Sequence, residues 1–395
     1  MGPLTGLVPV NSSCHGGFVG MTPKLRRFLD QVRPSTPYLV VDVDVVEANY
    51  LALATALDGV QIFYAVKANP APEILSRLAA LGCSFDVASP GEVAMALTAG
   101  ADPSRISYGN TIKKEADIAT AFAQGVRLFA FDSEAELAKI ARAAPGAKVF
   151  CRILTTGEGA DWPLSRKFGC APAMARDLLT RAAAMGVEPW GVSFHVGSQQ
   201  KNPAAWEAAL AEAATLFRDL EAVGIELGMV NLGGGFPTAY RQAVPDSAAY
   251  GVEIMDAVRR QFGNRIPFLI AEPGRGLVGN AGVIQTEVVL IAKKGDGDAR
   301  PWVYLDVGKF GGLAETMDEA IQYPIVSDRK GAPVPVILAG PTCDSADVLY
   351  ERAPYALPED LEVGDRLEIG ATGAYTTTYA AVGFNGFDPL RAYCI

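Results

Sequence analysis

Lys67 is the residue from which chemistry in this chain can start. It closes a short apolar, β-type run, Ile62 to Val66, and the chain-breaking pair Asn69-Pro70 follows at once. A strand buried in a parallel sheet reads as continuous apolar residues, and a lysine is almost never fully buried without a partner. A lysine at the C-terminal tip of such a strand stands where barrels and open α/β sheets keep their reactive groups. Taken alone, it is equally a solvated strand end. Further along, comparable runs end in Asp86, Asn110, Asp132, Arg152, His195, the triplet Gly233-Gly234-Gly235 and Glu272-Pro273-Gly274-Arg275. An amine, carboxylates, a guanidinium, an imidazole and glycine-rich turns at successive strand ends describe one site, provided the strands converge.

The glycine turns narrow the chemistry. GGGFP, Gly233 to Pro237, lets backbone N–H groups approach an anion closely, as phosphate loops do. EPGRG, Glu272 to Gly276, adds Arg275 as a fork for phosphate oxygens. Either loop alone reads first as a sharp turn; two at adjacent strand ends point to a phosphate-bearing cofactor. A phosphate site and a strand-tip lysine, in a chain without metal-type spacing, point to pyridoxal phosphate, whose aldehyde forms a Schiff base with a lysine amine. Glu272 is the candidate partner of the ring nitrogen. His195, in SFHVGS, is by default a satisfied structural histidine; its place on the sixth strand tip favours ring stacking or substrate contact.

These positions require a scaffold, and the sequence supplies its pattern. Strand-like runs lie at 62–67, 84–87, 105–109, 127–131, 147–153, 190–196, 229–233 and 267–271. Helical periodicity fills most gaps, at 72–81, 90–99, 113–124, 133–143, 173–185, 203–223 and 248–262. Eight such units predict a (β/α)8, TIM-type barrel, and the absence of GxGxxG after the first strand argues against a doubly wound sheet. After Leu277 the chain turns β-rich, with strands expected at 283–293, 302–307, 334–338, 365–369 and 380–384 and a short helical turn at 316–320. This is a second, β-type domain. The expected division is residues 1–36 as an N-terminal segment, in part poorly ordered and in part joining the β domain, 37–276 as the barrel and 277–395 as the β domain.

Composition bounds the function class. The 395 residues are 50% hydrophobic, enough for large cores, and Lys+Arg 34 against Asp+Glu 44 leaves a formal charge of -10. That balance argues against nucleic acid or an anionic membrane surface as partner and suits a cationic substrate. The six cysteines, at 14, 83, 151, 170, 343 and 394, show neither CxxC nor metal-type spacing, so reduced thiols in a cytoplasmic protein are expected and no metal is. No signal peptide and no run of about 18 apolar residues is evident.

YAVKAN, FDVAS, HVGS, GGGFP, EPGR, GPTCDSAD and GAYT occur in that order from about Pro37 to the C-terminus. In this series the chain resembles the alanine-racemase-like, fold type III pyridoxal-phosphate decarboxylases, and within them the ornithine/lysine branch. The resemblance implies that Lys67 carries the cofactor, His195 stacks on its ring, Glu272 pairs with the ring nitrogen, and Asp86 and Arg152 support the ring side. It implies that Ser198, Gly234, Gly235, Pro273, Gly274, Arg275 and Tyr375 surround the phosphate. It further implies a homodimer in which the partner supplies Cys343, to reprotonate the product carbon, and Asp344, to face the distal amine of the substrate. Asp318, beside Met317, matches the second acidic substrate contact.

Two carboxylates near a distal ammonium favour ornithine, giving putrescine, or lysine, giving cadaverine; these two substrates differ by one methylene, worth only about 1–3 kcal/mol in a pocket. A diaminopimelate decarboxylase needs a cation for the second carboxylate and resembles GPLCES where this chain has GPTCDS. A racemase of the same fold and a non-catalytic, inhibitor-binding homologue are the other readings. The first needs a second base across the ring, and the second loses cofactor residues that this chain keeps.

Overall fold

The computed structural model describes residues 21–162 and 167–395. The expectation of poor order over residues 1–20, with Cys14 and His15, lies outside the described residues.

Eight parallel strands close into a barrel: Val60–Ala65, Ser84–Val87, Ile106–Tyr108, Leu128–Phe131, Lys148–Arg152, Glu188–Ser193, Met229–Asn231 and Phe268–Ala271, the last pairing back onto the first. Each matches a run expected from sequence. Phe63, Ala130, Phe150, Met229 and Ile270 form a separate apolar cluster drawn from five of these strands, as expected for a barrel whose interior is packed.

The outer helices follow from their own sequences. In Pro72–Ala80 the buried positions are Ile74, Leu75 and Leu78, with Pro at the first turn, where a missing N–H is tolerated. Ser89 caps Pro90–Thr98 by accepting from Glu92 N at 3.2 Å, and Glu92 Oε2 accepts from Ala88 N at 2.7 Å. The serine cap and this bond to the residue before it fix the chain just past Asp86.

The second unit is an eight-stranded mixed sheet. Its path runs Ile325–Ser327, Arg366–Gly370, Gly282–Ala292, Trp302–Leu305, Pro333–Ala339 and Val348–Pro358, with Tyr38–Val41 and Arg391–Cys394 attached at the side. Three differences from the sequence reading have physical causes. Tyr38–Val41, assigned to the barrel with everything from residue 37, pairs antiparallel with Gly282–Ala292; a four-residue apolar strand does not reveal which sheet it joins. The strand expected at 380–384 is absent: Gly383, Asn385 and Gly386 take positive φ around the 3₁₀ turn Phe384–Gly386. The 11-residue strand Val348–Pro358 escaped notice because Pro354 interrupts it; it lies at the end of the sheet path, with a register shift opposite, where proline is tolerated.

Among the described residues no helix is long and apolar enough to cross a membrane.

Trp206, wholly buried in helix Ala205–Glu221, supports the seventh strand end. Its Nε1 donates to Leu232 O at 3.0 Å, and its ring packs 5.5 Å from Phe236 and 5.6 Å from Tyr250. Trp206→Ala is expected to lower unfolding stability by about 3–5 kcal/mol, measured by urea denaturation; a loss below 1 kcal/mol would show that the Gly233–Phe236 segment does not rest on this ring.

Candidate active site

One cavity gathers most of the predicted residues at the C-terminal mouth of the barrel. Lys67, Asp86, His195, Ser198, Gly234, Gly235, Glu272, Gly274, Arg275 and Tyr375 line it, joined by Ala65 and Phe236. The first strand ends at Ala65, so Lys67 sits in a 3₁₀ turn, Val66–Ala68, rather than in the strand itself. That turn is held by the second unit: Tyr375 N donates to Ala68 O at 2.9 Å, Asn69 Nδ2 to Gly373 O at 2.9 Å and Thr378 Oγ1 to Lys67 O at 3.0 Å. Tyr375 adopts φ 56°, uncommon for a bulky residue and a mark of local strain at functional positions.

Among the described residues Lys67 Nζ has no hydrogen-bond or ion-pair partner, and its side chain is open to the cavity although the cavity lies inside the fold. Burial works to lower its pKa, but Tyr375, Asp86 and Glu272 outweigh burial and raise it. Asp86 moves well above the usual carboxylate range, first because it is buried and then because Glu272 faces it, with Lys67 partly offsetting both. Its Oδ1 has no hydrogen-bond partner, and a Cβ on Gly109 would collide with that oxygen. Burial pushes His195 well below its usual range, and the charges of Arg152 and Lys67 add to this. His195 Nδ1 accepts from Gly197 N at 3.0 Å, which puts the ring proton on Nε2.

The glycine loop leaves room where a side chain would stand. Gly235 has φ 107°, and a Cβ there would lie 2.5 Å from Gly197 O; on Gly234 it would lie 3.1 Å from His195 Nε2. Among the described residues the amides of Gly234 and Gly235 have no acceptor. Two free N–H groups, an unpartnered buried carboxylate oxygen and an unpartnered amine fit pyridoxal phosphate, with the anion at the glycine loop and the amine at Lys67.

Arg275 is more committed than its sequence suggests. Its guanidinium is buried and forks onto Glu315, with Nη1 to Oε2 at 2.7 Å and Nη2 to Oε1 at 2.5 Å. Tyr240 OH accepts from Nη1 at 2.5 Å, Ser198 Oγ lies 3.3 Å from Nη2, and the Tyr375 ring lies 5.0 Å from Arg275 Cζ. Glu315 was missed because the run AETMDEA offers several acids and no local signal to choose between them. Asn231 was missed as well. It ends the seventh strand, and its amide donates to Glu272 Oε1; a polar residue ending an apolar strand was the available signal.

Other predicted residues lie apart from the cavity lining. Arg152 stands at its strand end with its guanidinium over the Phe168 ring at 5.2 Å, and Pro273 contributes its carbonyl to Ala65 N at 3.0 Å. Asp132, on the neighbouring strand end, accepts from Gly169 N at 2.8 Å. Met317 and Asp318 are exposed on the turn Ala314–Glu319. Cys343 and Asp344 are exposed on a loop of the second unit. Glu315→Gln is expected to destabilise the cofactor-free protein by about 3–5 kcal/mol, because it leaves a buried guanidinium without its counter-charge. Urea unfolding within 1 kcal/mol of the unsubstituted protein would contradict this.

Comparison with known proteins agrees with this geometry. The family model described as pyridoxal-dependent decarboxylase, pyridoxal binding domain, matches residues 43–279. A lysine/ornithine decarboxylase from Selenomonas ruminantium is 39% identical over 360 residues, 90% of this chain and 88% of that one. The crystal structure of lysine decarboxylase from the same organism superposes with a TM-score of 0.85 at 37% identity, covering 95% of this chain and 96% of that one. A lysine/ornithine decarboxylase from Vibrio vulnificus, complexed with putrescine, superposes with a TM-score of 0.84 at 31% identity, covering 94% and 97%. With its barrel, its lysine turn and its glycine loop, the chain belongs to the fold type III pyridoxal-phosphate-dependent decarboxylases, in their ornithine/lysine branch.

Proposed function

We propose that the protein is a homodimeric, cytoplasmic decarboxylase that converts L-ornithine to putrescine, with L-lysine to cadaverine as its second reaction. The observation that carries the reading is the unpartnered Lys67 amine in a cavity shared with His195, Glu272 and the glycine loop. When bound, pyridoxal phosphate supplies an aldehyde for the amine and a ring that takes up the electron pair left by CO₂. Lys67 holds the cofactor. His195, kept neutral by burial, lays its ring against it without adding charge. Glu272 answers the ring nitrogen, and Gly234, Gly235, Ser198 and Arg275 surround the phosphate, with Tyr375 beside them. Asp86 and Arg152 complete the ring side.

The charge pattern supports a cationic substrate. A distal carboxylate, as in diaminopimelate, needs a free cation, whereas Arg275 is already forked onto Glu315 and Arg152 stands over Phe168. Asp344 and Asp318 are assigned to the distal ammonium through charge-assisted hydrogen bonds, with Met317 beside Asp318.

A second chain is invoked because Cys343 and Asp344 sit outside the cavity of their own chain. The loop beside them supports that reading: Asn385 Oδ1 accepts from Cys343 N at 2.7 Å, and Val382, two residues earlier than Phe384, is 89% exposed, with Tyr379 and Phe387 also exposed. Neighbouring exposed apolar side chains mark interaction surfaces. The five described cysteines are free thiols, two of them with Sγ atoms 3.5 Å apart, which suits a reducing compartment.

CO₂ release from ornithine, lysine, arginine and meso-diaminopimelate, offered side by side, tests the substrate. Preference for ornithine, with lysine second, is expected. Preference for diaminopimelate or arginine sinks the assignment, no turnover despite bound cofactor turns attention to a racemase or to a longer substrate, and failure to bind cofactor favours the non-catalytic homologue. Cys343→Ala is expected to keep cofactor binding while slowing correct protonation of the product carbon by roughly 10²- to 10⁴-fold. An unchanged rate with unchanged product removes Cys343 from the mechanism.

A further inference from the structure

Three hydrogen bonds close a ring at the ends of the seventh and eighth barrel strands. Gly233 N donates to Asn231 Oδ1 at 2.8 Å, Asn231 Nδ2 donates to Glu272 Oε1, and Glu272 N donates to Gly233 O at 2.8 Å. Asn231 is wholly buried. The first bond decides which way its amide points: an N–H can be received only by the oxygen, so the NH₂ must face Glu272. The residue proposed for the ring nitrogen and the loop proposed for the phosphate are therefore tied through one amide side chain.

We propose that Asn231 is a positioning residue that sets the Glu272 carboxylate relative to the glycine loop, so that the two ends of the cofactor site move as one piece. This rests on the reading of Glu272 as partner of the cofactor ring nitrogen. Replacement by Asp isolates the bond that matters. Aspartate has the same shape and still accepts from Gly233 N, but it turns the donor toward Glu272 into a second carboxylate. The charged groups already facing Glu272 are Lys67, Asp86 and Arg152, and among the described residues none of them donates to Oε1 in place of Asn231. A proton shared between the two carboxyls restores the bond, so the defect of the Asp variant must shrink as pH falls. Alanine removes the donor with no such route back.

The test uses the full-length holoenzyme and its resolved cofactor-free form. The dissociation constant of pyridoxal phosphate is read by visible absorbance, and kcat and KM for the best substrate are measured in parallel across pH, each as a ratio to the unsubstituted protein. Asn231→Asp is expected to weaken cofactor binding and lower kcat by roughly 10- to 100-fold near neutrality, the range for a lost charged hydrogen bond, with KM little changed. Both ratios recover toward acid pH. Asn231→Ala is expected to show a similar loss without recovery. An Asp variant that matches the unsubstituted protein, or that matches the Ala variant at every pH, overturns the proposal. If the Ala variant does not fold, the isosteric Asp variant decides alone through its pH dependence. Glu272→Gln separates the two layers: no loss of cofactor affinity or kcat there overturns the reading of Glu272, whereas a loss there with an unaffected Asn231→Asp overturns only the role of Asn231.

Discussion

A buried guanidinium must have its charge answered, and Arg275 is answered by Glu315. The two side chains come from different units: Arg275 follows the eighth barrel strand, and Glu315 lies in the 3₁₀ turn Ala314–Glu319 of the second unit. Removing two charges from water is expensive, and only a forked, fully bonded geometry offsets the loss. Tyr240 and Ser198 take further donors of the guanidinium, and the Tyr240 ring meets Tyr323 edge-on at 5.4 Å. The pair therefore sets how the β unit sits on the barrel mouth. From that seating follow the contacts that shape the lysine turn, since Gly373, Tyr375 and Thr378 all reach across to residues 67–69.

The packed barrel interior explains why so many ionisable groups share one small space. With apolar side chains filling the centre, the mouth is where inward-facing polar residues can stand. Lys67 and Arg152 meet Asp86 and Glu272 there, and the low polarity strengthens every charge interaction. The same burial acts in opposite directions on acids and bases: it raises Asp86 and lowers His195. Lys67 escapes the downward push because Tyr375 and the two carboxylates face it. The result is a neutral imidazole, an amine with a supported charge and a carboxyl with an empty acceptor position, set by environment rather than by residue type.

The barrel was legible because a strand buried on both faces is apolar over most of its length, so an ionisable residue at or near its C-terminal end stands out. Lys67, Asp86, Arg152, His195 and Glu272 were found by that rule alone, and the glycine triplet by the room an anion needs. What escaped depended on contacts between units distant in sequence. Glu315 is 40 residues from its partner Arg275, and in ETMDEA nothing local separates it from Asp318 or Glu319. Folding separates them: Glu315 is buried against Arg275, Glu319 caps the backbone amides of residues 351–353, and Asp318 is exposed with φ 52°. Asn231 was hidden for a different reason. An asparagine ending a strand is ordinary, and its importance lies in which neighbour each end of the amide meets.

The loop that carries Cys343 is stiff yet stands outside the cavity of its own chain. Asp347, buried behind it, accepts from Lys309 N at 2.7 Å, Thr342 Oγ1 at 2.7 Å and Thr342 N at 3.1 Å. Gly308 and Gly340 leave no room for a Cβ against that carboxylate. On the other side, Asn385, at φ 52°, accepts from Cys343 N, while Asp344 Oδ1 accepts from Ala346 N at 2.8 Å. A thiol that must deliver a proton to one carbon needs such fixing, because proton transfer demands hydrogen-bond reach. A loop held at this many points does not swing across its own barrel mouth at small cost. For Cys343 to act as the proposed proton donor, the simplest geometry leaves the loop as it is and brings a second barrel to it, so the stiffness of the loop is what the proposed dimer with shared sites requires.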